Sequence, residues 1–80
     1  MSGLTYTTTT EKLLVGQRIK AMRKQRKMTR LQLLMRVKGR GPNTVYQWET
    51  GQRLPCLIMA ARVAKVFGIS VDELIKGVDL

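Results

Sequence analysis

Apolar residues in this chain recur every three or four positions in short stretches, and each stretch is closed by a residue on which helices start or stop. Val15, Ile19 and Met22 share one side of a helix expected from about Thr9 to Lys27, with Arg18, Lys20, Lys24 and Lys27 on its outer faces. Thr8, followed three residues later by Glu11, has the spacing of a capping box at its start. Thr29 is placed to cap a second short helix whose apolar face is Leu31, Leu33, Leu34 and Val37. Lys38 to Gly41 breaks that pattern. Pro42 then suits the first turn of a third helix, where a missing N–H costs nothing. This helix carries Val45 and Trp48 inward and ends near Gly51. Leu54-Pro55 opens a fourth, Cys56 to Phe67, with Leu57, Ala60, Ala61, Val63, Ala64 and Phe67 on its inner face. Gly68 stands where a left-handed C-cap is wanted, and Ser70 with Glu73 makes a second capping box for a fifth helix, Val71 to Lys76. No strand signal competes, so the expected fold class is all-α: a compact five-helix domain. Its core is expected to hold Val15, Ile19, Met22, Leu33, Val37, Val45, Trp48, Val63 and Phe67.

Eighty residues give one such domain, read as 11–80, preceded by a flexible threonine-rich arm at 1–10 that includes Thr7 to Thr10. With no histidine and Cys56 as the single cysteine, a Cys/His zinc site, a Ser-His-Asp triad and an intrachain disulfide are all excluded. Five carboxylates, none clustered with a plausible nucleophile, leave no catalytic residue, metal or cofactor to expect, and no redox role for Cys56. No apolar run approaches a membrane span and no leader pattern opens the chain, so a soluble intracellular domain without membrane contact is expected.

Charge is the second constraint. The net charge is +10, and it is gathered in one half. From Lys12 to Arg53 twelve bases face a single acid, Glu49, whereas from Leu54 onward Arg62, Lys65 and Lys76 are balanced by Asp72, Glu73 and Asp79. Cations packed this way raise the local potential and point to a polyanionic partner rather than to a merely soluble surface. RNA is the weaker choice, because exposed aromatic platforms for unpaired bases are lacking.

The order of elements narrows the partner. A basic helix, a capped short helix, a glycine-containing turn and a helix with Asn43, Thr44, Tyr46 and Gln47 outward follow the plan of a helix-turn-helix. Three stretches carry a closer likeness: Val15-Gly-Gln-Arg-Ile-Lys-Ala-Met-Arg-Lys-Gln-Arg-Lys-Met-Thr29, Thr44-Val-Tyr-Gln-Trp-Glu-Thr-Gly-Gln-Arg-Leu-Pro55 and Val63-Ala-Lys-Val-Phe-Gly-Ile-Ser-Val-Asp-Glu-Leu-Ile75. On these the sequence resembles the Cro/phage-repressor type of helix-turn-helix protein, the XRE-like family with the lambda-repressor-like fold. The chain departs from that pattern in one extra residue near Lys38-Gly39-Arg40-Gly41, in Leu34 where alanine is usual, and in Leu31 where a polar residue is usual.

The resemblance implies a sequence-specific transcriptional regulator, a repressor binding a palindromic operator as a homodimer, in the cytoplasm of a prokaryote or in a phage or plasmid context. It places Pro42, Asn43, Tyr46 and Gln47 at base edges, and Arg30, Gln52 and Arg53 on phosphates. Asn43 and Gln47 have the chemistry for bidentate bonds to adenine. Asn43 has a second reading as a helix cap, and Tyr46 would meet a thymine methyl or a phosphate. Arg40, in the lengthened turn, is expected to reach a phosphate, with a base as the second reading. The resemblance also implies a structural ion pair between Arg23 and Glu49. Leu31, Ile58, Met59, Val71, Leu74, Ile75 and Val78 exceed what one small core needs. Either they are partly exposed, or the fourth and fifth helices form the homodimer seam. The alternative function is an antitoxin or adaptor, a protein-interaction module on the same fold with a partner chain.

Overall fold

Five helices make up the structure, a computed structural model that describes residues 9–77. They are α1 (Thr9–Gln25), α2 (Arg30–Arg36), α3 (Thr44–Glu49), α4 (Leu57–Phe67) and α5 (Val71–Leu74), with no strand among the described residues. Thr9 and Thr10, counted in the arm, are the first helical residues; the Thr8 cap, the rest of the arm and Val78 lie outside the described residues.

Capping chemistry fixes the helix starts. Thr29 Oγ1 accepts from the Gln32 N–H (3.1 Å) while Gln32 Oε1 accepts from the Thr29 N–H (2.8 Å), a full capping box where the sequence suggested only a single cap. Ser70 and Glu73 make the same reciprocal pair at α5, as expected. Cys56 is the N-cap of α4 rather than its first helical residue, and its exposed thiol makes no capping bond.

The helix ends share one device. The amides of Met28, Gly39, Gln52 and Ile69 each donate to a carbonyl five residues back, on Arg23, Leu34, Gln47 and Ala64. Each such bond needs a left-handed residue just before it: Lys27 (φ 55°), Lys38 (φ 58°), Gly51 (φ 78°) and Gly68 (φ 71°). Gly68 is the C-cap read from the sequence. The two lysines hold a conformation that costs an L-residue about 1–2 kcal/mol, and no glycine announces those stops. Left-handed Lys27 thus ends α1 at Gln25, two residues before the expected Lys27; α5 ends at Leu74 instead of Lys76.

Buried apolar groups of all five helices meet in one core: Val15, Ile19, Leu33, Leu34, Val37, Val45, Trp48, Ala60, Val63, Phe67 and Leu74. Met22 is half-buried against it. Several expectations are corrected here. Leu31 turns away from the core at 63% exposure, Leu57 does so at 78%, and Ala61 is exposed. Leu57 and Ala61, one turn apart on α4, lie off the face that Ala60, Val63, Ala64 and Phe67 turn to the core. Leu74, counted as surplus, is fully buried. Leu34 fits because a Cβ on Gly39 would lie 2.4 Å from Leu34 Cδ1, so that glycine supplies the room an alanine at 34 would not have needed.

Arginines finish the helix ends. Arg18, expected on an outer face, instead donates through Nη1 to the carbonyls of Glu73 (3.2 Å), Leu74 (3.1 Å) and Lys76 (2.5 Å), tying the end of α5 to α1. Arg26 donates to the Met22 and Phe67 carbonyls and lies over the Phe67 ring at 4.9 Å. Arg62 donates to the Val37 carbonyl at the end of α2 (3.1 Å). Cations are favourable at all these termini, where unpaired carbonyls carry the negative end of the helix dipole.

The tightest approach is between α1 and α3. A Cβ on Gly16 would stand 1.8 Å from the Trp48 carbonyl oxygen and 2.8 Å from its carbon. Backbone cannot rotate aside as a side chain would. Gly16→Ala should therefore lower unfolding stability by about 3 kcal/mol, at the upper end of overpacking costs, as read in a urea melt. A loss within about 0.5 kcal/mol, the ordinary scatter of surface changes, would mean that the two helices do not touch there.

Candidate nucleic-acid interface

Trp48 and Glu49 sit side by side on the buried flank of α3, and Glu49 is the single acid in the basic half of the chain. Its side chain is 1% exposed. Arg23, from α1, donates through Nε to Glu49 Oε2 (2.6 Å) and through Nη2 to Oε1 (3.1 Å), a bidentate fork. The third nitrogen of Arg23 reaches the Met28 carbonyl in the turn before α2 (2.7 Å). Arg30, the first residue of α2, adds Nε to Glu49 Oε1 (2.9 Å). One carboxylate thus joins α1, the following turn, α2 and α3.

Arg30 stands at the edge of this cluster. Its side chain is 43% exposed, and its guanidinium lies 5.2 Å from the centre of the Tyr46 ring. Only Nε is engaged, which leaves the two terminal nitrogens for an anion. The capping box already occupies the Gln32 amide, so the α2 amides open to the same anion are those of Arg30 and Leu31. The sequence reading that made Arg30 a phosphate clamp did not anticipate its bond to Glu49; a guanidinium near a lone acid was the available signal.

The other candidate residues fall into two groups. Tyr46 is exposed and Gln47 half-buried on the outer side of α3. Pro42 and Asn43 are exposed but precede α3, which begins at Thr44. Pro42 is therefore not in the first helical turn. It occupies the second position of a turn closed by the Thr44 N–H donating to the Gly41 carbonyl (3.1 Å), a place its fixed φ suits. Asn43 takes the N-cap position without a side-chain capping bond. A shallow groove of about 250 Å³ brings Gln47 together with Arg40 and Arg53, from opposite sides of α3 in sequence, along with Gly41 and Thr44. The amides of Gln52 and Arg53 both donate to the Gln47 carbonyl (2.9 and 3.3 Å), which anchors that segment to the helix. Gln52 is exposed, and its Nε2 donates to Thr50 Oγ1 (3.0 Å).

The described residues contain no group of three His, Cys, Asp or Glu able to hold a metal, and no helix long and apolar enough to cross a membrane.

Comparison with known proteins places this geometry. Residues 16–80 match the family described as helix-turn-helix domain. Among solved structures, the restriction-modification controller protein C.AhdI from Aeromonas hydrophila superposes with a TM-score of 0.74 at 23% identity, over 81% of this chain and 97% of its own. The competence regulator ComR from Streptococcus vestibularis gives 0.76 at 28% identity, over 86% of this chain but 23% of its own. Hydroxypropylphosphonic acid epoxidase from S. wedmorenis gives 0.73 at 31% identity, over 84% of this chain and 35% of its own. No curated protein matches the chain. One fold thus serves as nearly a whole controller and as a part of an enzyme, so the fold alone does not decide the activity.

The buried fork yields a prediction about stability. Glu49→Gln leaves the buried Arg23 without its counter-charge and should lower unfolding stability by about 3–5 kcal/mol. Arg30→Ala removes a partly exposed partner and should cost about 1 kcal/mol or less. Equal losses for the two variants in a denaturant titration would show that burial does not set the worth of this cluster.

Proposed function

The chain belongs to the helix-turn-helix domain family, as a Cro/phage-repressor-type (XRE-like) member with the lambda-repressor-like fold, and from that premise we propose that it is a sequence-specific, double-stranded-DNA-binding transcriptional regulator. The observation that carries this reading is the groove whose lining brings Gln47 of α3 together with Arg40 and Arg53. A side chain able to read a base edge shares that groove with cations able to hold phosphates. Asn43 and Tyr46 extend the reading edge, with Pro42 at its start; Arg30 and Gln52 extend the phosphate contacts. The basic half supplies affinity through counterion release, while Gln47 and Asn43 supply sequence preference.

Acting as a repressor, the protein would hold a palindromic operator as a homodimer, with two copies of α3 in successive major grooves about 34 Å apart. Leu57 and Ile58, exposed at the start of α4, support a seam there; Leu74 of α5, being buried, does not contribute. The setting is the cytoplasm of a prokaryote, or a phage or plasmid carried in one. We assign no enzymatic activity to the chain. The antitoxin or adaptor reading draws on Leu31 and Met35, exposed one helical turn apart on α2, and needs a partner chain in place of DNA.

Titration of duplexes across a range of salt concentrations tests this function. Gln47→Ala should relax base preference at one position of each half-site by about 1–3 kcal/mol and leave the salt slope unchanged. A uniform loss across all sequences would remove Gln47 from the readers. Arg30→Ala should weaken every duplex and lower the slope by about one per protomer. An unchanged slope would confine Arg30 to its bond with Glu49.

A further inference from the structure

A second cationic groove, of about 410 Å³, lies between the end of α2 and the last turns of α4, lined by Arg36, Lys38, Arg62, Lys65 and Val66. It shares no lining residue with the groove that holds Gln47. Arg62 is partly used by the fold, through its bond to the Val37 carbonyl. Arg36, Lys38 and Lys65 are exposed, no carboxylate lines the groove, and both ion pairs among the described residues end on Glu49 instead. Gathering like charges costs the folded state some repulsion, and the caps described above account for one of these four cations. The side chains of the other three make no hydrogen bond or ion pair among the described residues.

The lining of the site selects among anions. The half-buried Val66 gives the lining an apolar member among its cations, which a row of duplex phosphates leaves unused. A nucleotide would find no aromatic ring in the lining on which to stack its base. An extended peptide fits both features, setting an apolar side chain on Val66 and carboxylates on the four surrounding cations. We propose that this groove is a docking site for an acidic segment of a partner protein that carries an apolar anchor residue. Such a partner would engage the regulator on a surface separate from the α3 edge, whether or not α3 reads DNA.

The test is an amide NMR titration of the whole chain with a synthetic peptide of alternating glutamate and leucine. Shifts should concentrate on Arg36, Lys38, Arg62, Lys65 and Val66. Affinity should fall severalfold for Arg36→Ala or Lys65→Ala and about tenfold for the double variant, as expected for two partly exposed charge pairs. The double variant Lys12→Ala/Lys24→Ala removes equal charge from α1, outside the groove lining, and should change affinity by less than about twofold, since solvent and salt screen charges that make no direct contact. The amide spectrum of each variant reports its folding in the same experiment. Four outcomes would overturn the proposal: no binding of the peptide, shifts spread over the basic surface or centred on α3, equal losses in the two double variants, or displacement of the peptide from these amides by a short duplex.

Discussion

A helix of six residues has no stability of its own in water, so the orientation of α3 rests on what grips its buried flank, above all the fork between Arg23 and Glu49. Excluding water from that pair makes its geometry strict, because a displaced partner would leave a buried charge uncompensated. Arg30 joins the same carboxylate from α2, so one acidic group ties together the two helices of the helix-turn-helix, which also share the core. Gly16 makes this possible from the other side. Without a Cβ it lets α1 close onto the Trp48 backbone, and the two contacts hold α3 at adjacent residues.

The positive charge of the chain divides into two kinds of work. Arg18, Arg23, Arg26 and Arg62 reach backbone carbonyls, and Arg23 and Arg30 hold Glu49; no lysine does either among the described residues. The guanidinium suits such sites because its planar set of donors can satisfy several acceptors from one position. The lysines, with Arg36, Arg40 and Arg53, remain available to outside partners. A count of bases along the sequence therefore overstates the surface dedicated to a polyanion, although the engaged arginines keep their charge and still contribute to the field.

Much of the fold was legible because its signals are local. Apolar spacing placed α1 to α5, Ser70 with Glu73 and Gly68 marked their own caps, and Val45 with Trp48 separated the inner side of α3 from its outer side. What was not legible depends on contacts distant in sequence or on strained backbone. Arg18 looks like any solvated cation until α5 folds beneath it. Lys27 and Lys38 end their helices in a conformation that sequence habits reserve for glycine. Gly16 reads as a weak point in a helix, yet it is where that helix touches its neighbour most closely. At the interface the residue types were legible, whereas the start of α3 was displaced: Pro42 and Asn43 belong to a turn, and Gln47 gains Arg40 and Arg53 as neighbours only through folding.

In the proposed function α3, held by a buried carboxylate and accompanied by cations, reads a DNA sequence. Selection from a random duplex library at near-physiological salt tests it most directly. One two-fold symmetric site should be enriched, with half-sites about one helical turn apart, and its binding should survive that salt. Recovery of unenriched sequences, with binding that vanishes as salt rises, would contradict it and reduce the basic face to an unspecific electrostatic surface.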